Sequence, residues 1–171
     1  MQNTPHKIHI VGSSGSGKTF LSQELARKLS IPLYELDNIH WINDGAQKST
    51  ERHEASRDAL LSRILAQKSW IIEGVYYKWL ADSFAQADII IILNTPTFLR
   101  SYRILKRYLF SKLGLTTSND PSLKAAWENV MWGINYSKNK LPVVLEMTEK
   151  YENKRFILSS KDDVRRFLKS L

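Results

Sequence analysis

The β-branched run Ile8-His9-Ile10-Val11 passes without a break into GSSGSGKT, Gly12 to Thr19. Gly12, Gly17, Lys18 and Thr19 occupy every fixed position of G-x-x-x-x-G-K-[ST]. Glycines at this spacing let the backbone turn tightly and aim successive N–H groups inward, a concavity suited to phosphate. Ser13, Ser14, Gly15 and Ser16 complete the loop, and Phe20 follows it. Leu21, Leu25 and Leu29 then recur at a helical period. A helix starting there brings its positive N-terminus to the same concavity. A bare Gly/Ser-rich turn would need neither the strand before nor the helix after. Strand, loop and helix together predict a nucleotide site in which Lys18 reaches the terminal phosphates and Thr19 ligates Mg²⁺.

Five short apolar runs read as strands: Lys7–Val11, Pro32–Leu36, Trp70–Glu73, Ile89–Leu93 and Arg155–Leu158. Runs such as IIIIL, apolar at every position, mark strands covered on both faces of a parallel sheet. Helical patterns separate them. Thr50 to Gln67 reads as a helix capped by Ser49 or Thr50, with Ala59, Leu60, Ile64 and Leu65 on its inner face. Pro96 to Lys112 opens on proline. Asp120-Pro121 predicts the cap of a helix through Trp127, Met131 and Ile134. Ser159 and Ser160 cap a last helix, Lys161 to Leu171, with Val164, Phe167, Leu168 and Leu171 inward. Asn38–Ser49 and Thr116–Asp120 read as loops. Alternating βα units predict an open, doubly wound α/β fold, read as a single domain over 1–171 with a helical lid or substrate region near 96–150.

The chain has 171 residues, 43% of them hydrophobic, and no cysteine. That is enough for a sizeable core, and it excludes a disulfide framework. No apolar run reaches 18 residues, and only six mostly polar positions precede the first strand, which predicts a cytoplasmic protein without a membrane span or cleaved signal. The net charge of +8 calls for anionic partners. From Ile89 to Asn119 there is no acidic residue, while Arg100, Arg103, Lys106, Arg107 and Lys112 fall in that stretch. Arg100, Arg103 and Arg107 share a helix face at i, i+3 and i+7, without the acids that would make ion pairs along it.

With these motifs in place, the chain resembles the P-loop nucleotide and small-molecule kinases. Within them it resembles the adenylate-kinase-like family called DNA topology modulation protein (FlaR-type). The resemblance rests on residues 8–29, on LDNIHW at 36–41, on WIIEGVYYKWL at 70–80 and on residues 87–107. It implies a three-layer α/β/α P-loop fold around a five-stranded parallel sheet, ATP and Mg²⁺ as cofactors, and phosphotransferase chemistry on a small acceptor. Asp37, at the carboxyl end of the second strand, corresponds to an acid that contacts the acceptor, acts as its base or helps hold Mg²⁺; a turn-capping Asp is the plainer alternative. His40 and Trp41 follow, able to bond an acceptor hydroxyl and to stack on a ring. Glu73 ends its strand as a Walker-B acid does, holding Mg²⁺ or its water. Lys78 stands one residue after the position of a phosphate-binding Arg, which here is Tyr77; that departure and the lack of a Gly-Asp-Leu-Leu-Arg-like segment argue against an adenylate kinase proper. Arg103 and Arg107, ahead of Arg100, correspond to lid arginines that clamp phosphate. Ser160 and its neighbours correspond to a turn that touches the nucleotide base through backbone groups. The Trp127, Trp132 and Tyr136 set reads as core.

Two other readings of the sequence remain beside the kinase. A DNA-associated ATPase or nucleotide switch would turn the acid-free helix outward onto the phosphate backbone. A protein that binds nucleotide without transfer would fit the Tyr77/Lys78 departure. The acceptor, the oligomeric state and the base are not written in any motif, although the absence of Asn-Lys-x-Asp favours ATP over GTP.

Overall fold

The computed structural model describes residues 5–42, 50–115 and 122–171. The strands are β1 (Lys7–Gly12), β2 (Leu33–Glu35), β3 (Trp41–Ile42), β4 (Thr50–Glu51), β5 (Trp70–Gly74), β6 (Ile89–Leu93) and β7 (Arg155–Leu158). The α-helices are α1 (Lys18–Leu29), α2 (Leu36–His40), α3 (Glu54–Leu65), α4 (Ala81–Gln86), α5 (Thr97–Lys112), α6 (Leu123–Asn135), α7 (Leu141–Met147) and α8 (Lys161–Ser170). A π-helical turn, Tyr136–Lys140, joins α6 to α7, and a 3₁₀ turn, Glu149–Lys154, leads into β7. Five strands form one parallel sheet in the order β2-β5-β1-β6-β7; β3 and β4 pair separately as an antiparallel ribbon.

The period-2 alternation of strand side chains sorts the core into two layers. On one face Ile8, Ile10, Ile71, Ile91 and Leu93 pack with Leu21 and Leu25 of α1 and Phe167 of α8. On the other, Val11, Trp70, Ile72, Ile90 and Ile92 pack with Leu36, Leu61, Phe84, Tyr136 and Val144 from α2, α3, α4 and the segment after α6. The central strands are therefore apolar at nearly every position. Of the polar residues on these strands His9 is fully buried; its Nδ1 lies 2.7 Å from Ser83 Oγ and its ring packs on Phe84. Burial without a charge partner pulls its pKa down to about 3, so it is neutral at any ordinary pH.

Several expectations shift. Asp37 and His40 lie on α2, not in a strand end or open loop, and the chain runs on into β3. The third helix starts at Glu54: Thr50 and Glu51 pair with Ile42 and Trp41 instead, a contact across the intervening segment that local pattern does not report. Arg57 and Leu61, not Ala59, join Ile64 and Leu65 on its inner face. Ser122 caps α6, its hydroxyl accepting from Ala125 N–H at 3.0 Å. The Asp120-Pro121 cap, the Thr116–Asp120 loop and most of the 38–49 loop, Ser49 included, lie outside the described residues. Trp127 and Met131 are exposed on α6, whereas Tyr136 is buried and Trp132 half-buried. Among the described residues no helix is long and apolar enough to cross a membrane.

Candidate functional site

The phosphate loop leaves β1, the central strand, at the edge where open α/β sheets bind ligands. Gly15 and Gly17 take φ of 72° and 100°, a region that costs any residue with a Cβ. Gly17 leads into α1, whose first residues are Lys18 and Thr19. The loop is held from outside. Thr95 Oγ1 donates to Ser16 O at 3.0 Å, and Arg103 Nη1 donates to Gly15 O and Ser16 O, each at 3.1 Å. Lys18 Nζ arches back to Ser13 O at 3.1 Å. The Ser13 and Ser16 hydroxyls are buried with no hydrogen-bond partner among the described residues. Such groups are costly unless something answers them. An oxyanion in the loop would answer them, so the cradle fits a phosphate.

Strand alternation explains the carboxylate. Glu73 is two residues beyond Ile71 on β5 and therefore faces α1, where Thr19 Oγ1 donates to Glu73 Oε1 at 3.0 Å. Burial is the main influence on Glu73 and lifts its pKa above the usual range. Lys18 and the Thr19 hydrogen bond pull it down, while Glu35 and Asp37 raise it further. Burial likewise holds the Lys18 pKa below the usual lysine range, against the pull of Glu73 and Asp37. A cation and a carboxylate thus face each other, each short of solvation. Among the described residues no cluster of three His, Cys, Asp or Glu could hold a metal by itself. Thr19 with one carboxylate fits Mg²⁺, which takes few protein ligands and completes its shell with phosphate and water.

Around the loop three clefts follow one another. The first, about 520 Å³, is mostly apolar and runs from Gly17 and Phe20 past Leu93 and Leu99 to Ser160, Val164 and Leu168. The second, about 390 Å³, holds Ser14, Lys18, Thr19, Asp37, Glu73, Arg103 and Arg107. Phe20, Gly17 and Arg103 border both. The third, about 450 Å³, holds His40 and Lys78 among aromatic side chains and meets the second at Val75. The Tyr76 hydroxyl lies between the last two: it accepts from Trp41 Nε1 at 3.1 Å and feels the charge of the Asp37 carboxylate. Burial first, then Asp37, drives the Tyr76 pKa well above the usual range, so the phenol keeps its proton and stays a donor.

The structure brings Gly12 to Phe20, Asp37, Glu73, Arg103 and Arg107 together, with His40 and Lys78 next door. Arg100 is the exception. It is 3% exposed, and it donates to Thr95 O, Gly133 O, Thr97 Oγ1 and Ser137 Oγ. Four of its five N–H groups are spent, two on the start of α5 and two on α6 and the turn after it, so it is not free for an acceptor. Ser160 also departs from expectation. The Ser159 and Ser160 amides both donate to Asp163, which together with the Ser160 hydroxyl forms a capping box on α8. The two amides are therefore spent on the cap, while Ser159, Ser160 and Lys161 still line the apolar cleft. Tyr76, Trp79, Arg57 and Lys140 carry no role in the sequence analysis, and Trp132, read there as core, is only half-buried and lines this cleft. The run YYKW at 76–79 and the aromatic spacing around Trp132 were the available signals; Lys140 comes from a distant segment and carried none.

Strand order and loop placement decide the architecture. The chain has a P-loop small-molecule kinase fold. Solved structures with this fold include the shikimate kinase of Acinetobacter baumannii in complex with shikimate, 20% identical with a TM-score of 0.52, covering 98% of this chain and 90% of that one. The shikimate kinase of Bacteroides thetaiotaomicron gives 20% and 0.53 over 98% and 96%. A gluconokinase from Sinorhizobium meliloti gives 11% and 0.56 over 99% and 97%. At these identities the likeness is one of fold. Among curated proteins, the uncharacterized protein YqaC of Bacillus subtilis is 29% identical over 101 residues, 58% of this chain and 55% of that protein. This chain thus spans about half the length of the curated relative it matches. No family model matches the sequence.

Proposed function

We propose that this chain binds ATP with Mg²⁺ and transfers the γ-phosphoryl group to a hydroxyl of a small-molecule acceptor. One observation carries the reading: Lys18, the Thr19–Glu73 pair, Asp37, Arg103 and Arg107 converge on one cleft that opens on either side into a further pocket. The apolar pocket beside Phe20 and Leu168 takes the base, and the loop amides, the Ser13 and Ser16 hydroxyls and Lys18 take the phosphates. Thr19 and Glu73 hold the metal, Glu73 directly or through water, with Asp37 beside them. Bound Mg²⁺ supplies charge neutralisation across the phosphate oxygens. Asp37 accepts the proton of the acceptor hydroxyl as its oxygen bonds to phosphorus and the bond to the ADP oxygen breaks. Arg103 and Arg107 offer guanidinium donors where charge spreads in a loose transition state, and α5 with α6 serves as a lid that keeps water out.

The DNA-associated reading needs these arginines on an outer face; their place over the loop favours the kinase. The resemblance to the topology modulation proteins belongs to this proposal, as does a cytoplasmic location. The test is transfer from γ-labelled ATP with Mg²⁺ to pooled nucleosides, nucleotides, sugar acids and hydroxy acids. Labelled product that disappears in Lys18→Ala is expected. Binding without transfer to any pool would contradict it.

A further inference from the structure

The third cleft is built from unlike pieces. His40 and Trp41 belong to α2 and β3, Tyr76 and Trp79 to the turn after β5, and Trp132 and Lys140 to α6 and the π-helical turn; Glu51 of β4 stands outside the lining, its Oε1 3.4 Å from His40 Nε2. On one side the His40 ring lies against Trp41, Tyr76 and Trp79, at centroid distances of 4.7, 4.6 and 6.4 Å. On the other, Trp132 packs on the buried Tyr136 at 5.3 Å and carries Lys140 Nζ over its face at 5.0 Å. The Arg57 guanidinium lies 4.6 Å from the Trp79 ring. Core aromatics fill space; these surround a cleft of about 450 Å³ and leave their surface to it, with Trp41 36% exposed. Its lining has Arg57, Lys78 and Lys140 and no carboxylate among the described residues. His40 Nδ1 is buried there without a partner among the described residues. Sugar acids and polyols are read by convergent polar groups; a wall of indole and phenol faces suits a flat π system, and its cations suit an anion.

We infer that the acceptor is an aromatic, anionic alcohol: a flat ring seated among Trp41, Trp79 and Trp132, its negative group toward Lys78 and Lys140, its hydroxyl toward Asp37. This deepens the proposed function, since the cleft is read as the acceptor end of that site. The two clefts share Val75 as a wall, with Asp37 lining the phosphate cleft and Tyr76, next to Val75, bonded to Trp41 in the aromatic one. A ring stacked in the third cleft therefore delivers its substituent to the carboxylate.

The test is equilibrium binding, read by quenching of tryptophan fluorescence, in the wild type and in Lys18→Ala. Because the second protein lacks the phosphate-loop cation, the outcome does not hang on nucleotide binding. The probes are uridine monophosphate and 4-(hydroxymethyl)benzoate as aromatic anions, benzyl alcohol as an uncharged ring, and gluconate and shikimate as non-aromatic anions. Saturable quenching by the two aromatic anions and none by gluconate or shikimate is expected in both proteins. Trp132→Leu and Trp79→Leu should each weaken aromatic binding about tenfold. Lys140→Met should weaken the aromatic anions and leave benzyl alcohol unchanged. Equal or tighter binding of gluconate or shikimate, no saturable quenching by either aromatic anion, or indifference of both to the two tryptophan substitutions would overturn the assignment. Mg-ATP binding measured on the same wild-type sample separates this from the kinase reading. If ATP binds and the rings do not, the acceptor class is wrong and the kinase stands; if rings bind and ATP does not, the reverse holds.

Discussion

Glu73 shows how a residue can be placed at a cost to the fold. Its carboxylate is buried beside Thr19 and within the field of Glu35 and Asp37, and the attraction of Lys18 does not make up for lost solvation. A carboxyl whose folded pKa is raised costs nothing below the unfolded value near 4.3, and the cost grows as pH rises through the folded value. Glu73→Gln keeps an acceptor for Thr19 and removes the charge. At about pH 8 it should melt a few degrees above the wild type, with the gap closing toward about pH 4, while Mg²⁺-dependent nucleotide affinity falls at least about tenfold. Scanning calorimetry across this range checks the sign: a less stable Glu73→Gln at alkaline pH would mean that the carboxylate contributes to the fold. The place of Glu73 beside Thr19 was legible because it ends an apolar strand next to the phosphate loop. The role of Arg100 was not. Spacing puts it on a face with Arg103 and Arg107, but α6 covers that end of α5 and captures its donors, a tertiary fact with no local trace.

Among the elements, α2 is the most exposed to disturbance from its neighbour. It has five residues, begins at fully buried Leu36 and carries Asp37 next to it. Gly74 closes β5 directly below: a Cβ there would stand 2.7 Å from Leu36 Cβ and 2.8 Å from Leu36 Cδ1. Neither side can retreat, so Gly74→Ala should cost about 1–3 kcal/mol by overpacking, push α2 outward, and lower any Asp37-dependent activity more than nucleotide affinity. Unaltered melting and turnover would show that α2 is not braced in this way. The π-helical turn after α6 has its own logic. Leu141 N–H returns to Tyr136 O, and Pro142 has no N–H with which to continue the ladder. The widened turn buries Tyr136, hands Ser137 to Arg100 and leaves Lys140 over Trp132. Such turns are invisible to a periodicity of 3.6, and so was the aromatic cleft that this one helps to build.

At the scale of the molecule, the chain's charge and its layers have one centre. The sheet's double cover explains why five strands could be read from apolar runs alone, and the phosphate loop placed the site at their carboxyl edge. The acid-free stretch also makes sense in place: α5 lies along the loop, where a carboxylate would face phosphate. What could not be read came from segments far apart in sequence, such as the β3–β4 pairing that starts α3 late and the third cleft with its four contributing segments. The central claim is that the loop, Lys18 and the Thr19–Glu73 pair form a working nucleotide site. Titration calorimetry of Mg-ATP into the wild type and Lys18→Ala, with circular dichroism to verify the fold of each, tests it most directly. Saturable binding to the wild type that needs Mg²⁺ and weakens at least about a hundredfold, near 3 kcal/mol, in the variant is expected. Affinity that is unchanged in a folded Lys18→Ala, or absent from the wild type, would contradict it.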